Sequence, residues 1–324
     1  MTENWSYRNG FVVYDSGKPG PTFVATHSGL SLTRALLRDM GSEAVAYHAA
    51  KRGGSALIAL IGRDKINGID FYRMCPSQRT ALEIYGAYEK CDNNMIREVA
   101  AKYAFAARDR AQFKQKQMIY DSFWDYAKMS TKPIYIFVHT QFACIKNYPS
   151  IVDVATFEGR AFENKILEQV VEKLNNRYEE KFKQLFEQFK SFLLNETSNE
   201  INKYKQKFSC FDSDAADAFK PDIENIKLFA SKEVLELLNR KFNESTYTLA
   251  VQNVLNREKN LKITIERNFN GKVAEFVVLP LIKKTRGVAF QVEFSEFLSQ
   301  LYPELAADIV WDLIDESREI VCKT

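Results

Sequence analysis

The chain of 324 residues carries only three histidines and five cysteines. The cysteines (Cys75, Cys91, Cys144, Cys210 and Cys322) are scattered, odd in number and never spaced as CxxC. That argues against a disulfide framework or a thiolate zinc site, and for reduced thiols in a cytoplasm. No apolar run approaches the roughly 20 residues that span a bilayer. The polar opening MTENWSYRNG lacks the charged-then-apolar order of a secretory leader. Neither sign of charge dominates: 45 basic against 42 acidic residues leaves a formal +3, so nothing in the balance demands nucleic acid. Repeats and low-complexity segments are absent. What remains is the composition of a globular chain, 46% hydrophobic and 27% charged, long enough for one large α/β domain or two smaller ones.

The first half alternates strand-like and helix-like runs. GFVVYD, PTFVATH, SALIALIGR, KPIYIFVHT and SIVDVATFEG are short, rich in Val, Ile and Phe, and bounded by Gly, Pro or charge, as strands buried in a sheet require. SLTRALLRDM and most of residues 80–128 have helical character. From Ala161 to Phe208 the composition shifts to Lys, Glu, Gln and Asn, with apolar residues stepping by three and four from Ile166 to Leu193. One unbroken helix of that length would run about 70 Å at 1.5 Å per residue, longer than an ordinary packing helix. SCFDSDAADAFKPD breaks the pattern, and SKEVLELLNRKF and TYTLAVQNVLNREKN read as shorter helices. Strand character returns in LKITIERNFNGK, VAEFVVLPLI and GVAFQVEFSEFL, and an amphipathic helix closes the chain. These runs predict an α/β fold: a mixed central sheet with helices on both faces, built from 1–160 and 256–324, interrupted by a helical insertion over 161–255. The insertion's apolar stripe is a seam that packs back on itself or on another subunit.

Two of the three histidines, His27 and His139, stand where a strand hands over to a loop. Ligands gather at the carboxyl ends of strands in open α/β sheets. Alone, each histidine is more simply a strand cap making one hydrogen bond. As a pair at matched places they can converge on one zinc ion, with a carboxylate as third ligand and water as fourth. Glu43, at a helix start after a Gly-Ser turn, is the foremost carboxylate, and Asp39 its local competitor. GRDKINGIDFYR follows another strand end and brings Arg63, Asp64, Asp70 and Arg73 near the same cleft, where an arginine can grip a carboxylate. As a stretch on its own it is also an ordinary solvated turn. Glu293 interrupts the apolar run GVAFQVEF, and a charge there needs a partner or a task. General base beside a metal-activated water is one task, and an edge strand facing water is the alternative. His48 reads as a surface or packing residue of a helix.

Taken in order, Thr26-His27-Ser28-Gly29, Glu43, GRDKINGIDFYR, IYIFVHT with His139, IVDVATFEG, IERNFNGK and FQVEFSEFL resemble the N-formylglutamate amidohydrolase family, a branch of the zinc-carboxypeptidase-like hydrolases. The resemblance covers roughly 20–160 and 260–300. It implies one zinc ion held by His27, Glu43 and His139, with Glu293 as general base and acid. Arg63 would polarise the scissile carbonyl, and Arg73, beside Tyr72, would bind substrate. The family's Asp two residues before the second histidine, which orients the imidazole and so bears on metal affinity, is Phe137 here. Its Asn-Arg pair is Tyr72-Arg73, which implies a substrate other than N-formylglutamate. The expected activity is hydrolysis of an amide bond in an N-acyl amino acid or small peptide-like molecule, in the cytoplasm, without nucleic acid or membrane. The alternative is a binding or assembly protein that keeps a hydrolase-like core and acts through its helical insertion, which then forms a homo-oligomer.

Overall fold

The computed structural model describes residues 4–30, 38–92, 95–96, 99–129, 133–141, 145–208, 220–240, 243–267 and 269–323. The chain begins with β1 (Asn4–Arg8), β2 (Phe11–Asp15), β3 (Thr22–Ala25), α1 (Ser42–Arg52) and β4 (Ser55–Ala59). It continues through α2 (Gln78–Glu89), α3 (Arg110–Ala127), β5 (Ile134–Gln141) and β6 (Ser150–Ala155). A helical stretch follows: α4 (Asn164–Phe208), α5 (Lys220–Phe229), α6 (Lys232–Arg240) and α7 (Glu244–Arg257). Then come β7 (Lys262–Ile265), α8 (Glu275–Thr285), β8 (Val288–Ser295), α9 (Glu296–Leu301) and α10 (Pro303–Lys323). The eight strands form one sheet in the order β1-β2-β4-β3-β5-β8-β6-β7. Its centre, β4-β3-β5-β8, is parallel. Both flanks bring in antiparallel pairs, β1-β2-β4 on one side and β8-β6 on the other.

The sheet is mixed because the last strand inserts in its middle. β8 pairs β5 in parallel over eight residues, so the C-terminal segment completes a sheet begun near the N-terminus. Side-chain alternation sorts the core into two layers. Phe23, Ile136, Val138, Val152, Phe290 and Val292 face one side, with Val45 and Ala49 of α1, the seam of α4, and Val310 and Leu313 of α10. Val13, Val24, Leu57, Tyr135, Phe137 and Ala289 face the other, beneath Phe123 and Trp124 of α3 and Val278 and Leu281 of α8. Helices thus cover both faces.

Several local expectations change. VAEFVVLPLI forms most of a helix, α8, rather than a strand, because Val278, Leu281 and Ile282 recur at helical spacing against the core. The β-branched run misled, since burial on one stripe outweighs strand propensity. Among the described residues, the stretch 80–128 holds α2 and α3 and, between them, a 3-10 turn at Ala100–Lys102. The polar N-terminus contributes β1, which is largely exposed and whose order comes from its antiparallel pairing with β2. The helix expected over SLTRALLRDM and the break at SCFDSDAADAFKPD fall mainly on 31–37 and 209–219, outside the described residues.

The helical stretch does contain one helix of 45 residues, α4. Its seam is consumed inside the chain. Leu167, Val170, Leu174, Phe182, Leu185, Phe189 and Leu193 are buried in the same layer as the sheet, against α10, α7 and β7. Polar ties reinforce this: Arg177 meets Asp312 at 2.9 Å, Lys173 meets Glu316 at 2.8 Å, and the Tyr178 hydroxyl donates to Asp312 at 2.7 Å. The Asn175 amide bonds both the N–H (2.8 Å) and the C=O (2.9 Å) of Ile263 on β7. Leu174 is fully buried, so Leu174→Ala should lower unfolding free energy by about 2–5 kcal/mol in a denaturant titration. A cost below about 1 kcal/mol would mean that α4 does not pack here.

Candidate metal centre

The sheet's central strands deliver the site. His27 follows β3, His139 lies near the end of β5, and the β5–β8 register sets His139 directly beside Glu293. Alternation along β8 sends Phe290, Val292 and Phe294 into one core layer and turns Gln291 and Glu293 to the opposite face. Alternation therefore does account for Glu293. The strand is central rather than an edge, and the residue is only 6% exposed. Gly29 lets the chain leave β3 close to its neighbour, since a Cβ there would stand 2.2 Å from the carbonyl oxygen of Ile61.

Three buried side chains converge at the strand ends: His27, His139 and Asp39. Asp39 Oδ2 lies 2.8 Å from Nδ1 of His139 and 3.3 Å from Nδ1 of His27. Asp39, the competitor named from sequence, takes the place expected of Glu43. The Glu43 carboxylate instead faces Arg38 in an ion pair and is partly exposed, because α1 begins one turn beyond Asp39 and points Glu43 away. On the other side of His27, Nε2 stands 2.9 Å from Asp70 Oδ1, which also accepts from the backbone N–H of Tyr72 at 3.1 Å. Asp70 thereby fixes the ring and leaves Nδ1 turned to Asp39. Arg63 Nη1 sits 3.1 Å from His27 Nδ1 and 3.7 Å from Asp39, while Arg73 Nε is 3.9 Å from Asp70.

A second chain of contacts reaches Glu293. Tyr72 donates its hydroxyl to Gln291 Oε1 at 2.8 Å, and Gln291 Nε2 donates to Glu293 Oε1 at 2.6 Å. The Tyr72 ring packs against Phe137 and His139, with centroids 5.2 and 4.5 Å away. Where a carboxylate would have accepted from His139, Phe137 offers no acceptor, and Nε2 of His139 has no hydrogen-bond partner among the described residues. His27, Asp39, Arg63, Tyr72, His139 and Glu293 open together on a cavity of about 250 Å³, whose outer wall includes Lys146, Phe269 and Val273.

Burial and charge set the protonation states. Burial pushes the carboxyls of Asp39 and Asp70 up, but His27 and the neighbouring arginines outweigh it and hold both well below the usual carboxylate range. Burial pushes His139 down to about 4, against the pull of Asp39, so its imidazole is neutral. Glu293 moves the other way: burial first, then the nearby negative charges of Asp39 and Asp153, raise it well above an ordinary glutamate. Burial likewise raises Tyr72.

The donor set could hold a metal ion. Two donors about 2.0–2.1 Å from a tetrahedral ion stand about 3.3 Å apart, the spacing of His27 Nδ1 from the Asp39 oxygen, while the 2.8 Å between His139 Nδ1 and Asp39 is a direct hydrogen bond that such an ion would open. Asp70 behind His27 supplies the carboxylate that such imidazole ligands usually carry. No protein-family model, curated protein or solved structure matches this chain.

The loop that carries Arg63 and Asp70 is held from beneath by Lys116 of α3. Its ammonium donates to the carbonyls of Lys65 (3.1 Å), Ile66 (2.6 Å) and Ala106 (2.8 Å). Burial pushes Lys116 down to about 8. The unfolded chain restores the ordinary value near 10.5 and so binds the proton more tightly than the folded chain between those limits. Stability should therefore rise as pH climbs from 8 to 10. Lys116→Met should lower stability at pH 7, by leaving carbonyls unpaired, and should shrink that rise. Thermal melts across this range measure both effects, and an unchanged slope in the variant would refute the assignment.

Proposed function

We propose that the protein is a metal-dependent hydrolase of amide bonds, acting on an N-acyl amino acid or small peptide-like substrate. One observation carries the reading: a buried His27–Asp39–His139 group and a buried Glu293 open on the same cavity. The resemblance of its ordered motifs to those of the N-formylglutamate amidohydrolases supports it. His27, His139 and Asp39 would hold the ion, with Asp70 orienting His27. A divalent ion such as zinc, when bound there, acts as a Lewis acid and lowers the pKa of the attacking water to about 7.

The chain's own groups do the rest. With the Asp39 charge that raises Glu293 offset by a bound divalent cation, Glu293 would be ionised to take a proton from the attacking water and return it to the leaving amine. Its raised affinity for protons suits a group that must both accept and donate near neutral pH. Gln291, itself fixed by Tyr72, holds one carboxylate oxygen of Glu293 and so aims the other. Arg63, beside the cluster, is placed to stabilise negative charge on the carbonyl oxygen. Arg73 donates to the carbonyls of Ala101 and Tyr72, which fixes its guanidinium at the cavity wall, where it orients an anionic end of the substrate. The assembly-protein alternative loses its motive through Leu193, because that part of the helical seam is buried within the chain.

Equilibrium dialysis against zinc tests the ligand set. His27→Ala and His139→Ala should abolish tight binding, Asp39→Asn should weaken it strongly, and Asp70→Asn by about 10–100-fold. Glu43→Gln should leave it unchanged. Equal binding by wild type and both histidine variants would overturn the metal centre. On any N-acyl amino acid that the wild type hydrolyses, Glu293→Gln should lower kcat by about 10²–10⁴-fold. Undiminished turnover would remove Glu293 from the chemistry.

A further inference from the structure

Beside Lys146 and Asn270, the outer wall of the cavity carries an apolar patch that is exposed and firmly held, a combination that mechanism alone does not require. Phe269 and Val273 line the cavity yet remain 37% and 52% exposed, and Phe276, one turn further on, is 64% exposed. Connecting segments usually present polar tips to water. This one presents large apolar groups beside a cluster of charges.

Four sets of contacts pin the segment. Asp153, fully buried on β6, accepts from the backbone N–H of Arg267 (3.2 Å) and of Phe269 (3.4 Å). The Arg267 guanidinium donates to the Tyr148 carbonyl at 2.9 Å and to Asn225 Oδ1 at 2.8 Å. Asn225 belongs to α5 and is itself buried, donating to the Tyr148 carbonyl at 2.9 Å. Asn270 donates to Glu158 at 3.0 Å. Gly271, at φ 72°, packs on the Phe157 ring, where a Cβ would stand 2.6 Å away. The helical stretch thus contributes to the cavity by bracing its wall through Asn225. A wall braced on three sides, with its apolar side chains facing the cavity, is preorganised for contact with an apolar group.

We infer that the ligand of this cavity is an amide whose acyl part is an extended apolar chain, lying against Phe269 and Val273 with its amide turned to the charged cluster. The inference rests on the hydrolase reading for the amide, and on the braced wall for the apolar chain.

Calorimetric titration of the full-length Glu293→Gln variant in the presence of zinc, with N-acetyl-, N-butanoyl-, N-hexanoyl- and N-octanoylglycine as probes, tests it. A fully buried methylene gives about fourfold in affinity. A half-open wall should give about twofold for each methylene added. In Phe269→Ser/Val273→Ser, made in the same background, the dependence on length should disappear. The exposure of both side chains makes the double variant mild, and a thermal melt confirms folding. Equal affinity along the series, no binding of any member, or a length dependence that survives the double variant would each overturn the inference. Wild-type turnover of the same series is read separately. Length-dependent binding without turnover keeps the apolar chain and removes the hydrolase, whereas turnover with flat binding does the reverse.

Discussion

The parallel pairing of β5 with β8 is the constraint on which the rest depends. It joins a strand from the first half of the chain to one close to its end, and its register places His139 beside Glu293. Strand side chains alternate with a period of two, so a slip by one residue would turn Gln291 and Glu293 into the layer now filled by Phe290, Val292 and Phe294. Both faces of the sheet are buried, which makes such a slip prohibitive. The fold therefore fixes the site through packing: the apolar residues of β8 choose the register, and the polar ones inherit their position.

Within the site, no charge is buried alone. Asp39 is shared by two imidazoles and approached by Arg63, and Asp70 sits between His27 and Arg73. A buried ion costs several kcal/mol unless it is paired and hydrogen-bonded, and here each carboxylate shares its compensation with a neighbour. The arrangement is tightly coupled. Glu293 stands at its margin with the Gln291 amide as its polar contact, and its raised proton affinity follows from that unequal treatment. The same negative charges that would hold a cation raise the proton affinity of the adjacent glutamate.

Much of this was legible in the sequence. Short Val-, Ile- and Phe-rich runs bounded by Gly and Pro announced β2 to β6, and their alternation with helices announced a sheet covered on both faces. His27 and His139 were conspicuous because histidine is scarce and because both follow strong strands. Asp70 was visible only as one of several charges in a loop, since nothing local says which of Asp64 and Asp70 turns inward. The choice between Asp39 and Glu43 depends on where α1 starts, and helix starts are poorly marked when, as here, no side chain caps the first turn. Glu293 stood out as a charge in an apolar run, but only the parity of β8 against its neighbours shows that it leaves the packed layer and turns to the cavity face. α8 looked like a strand since its β-branched residues speak for local propensity, and its burial pattern exists only after the sheet has formed. Asn225 gave no signal at all, because a buried asparagine bridging two distant loops has no local signature.

The Asn175 amide has a consequence of another kind. β7 ends the sheet on one side, and an unpaired strand edge is a template on which further chains can add. Asn175 bonds both outward backbone groups of Ile263 and so plays the part of a ninth strand one residue long. α4 thereby covers this edge at Ile263. Without that amide, the first defect to emerge would be intermolecular, a tendency of chains to join edge to edge, with the histidine-lined cavity several strands away left intact.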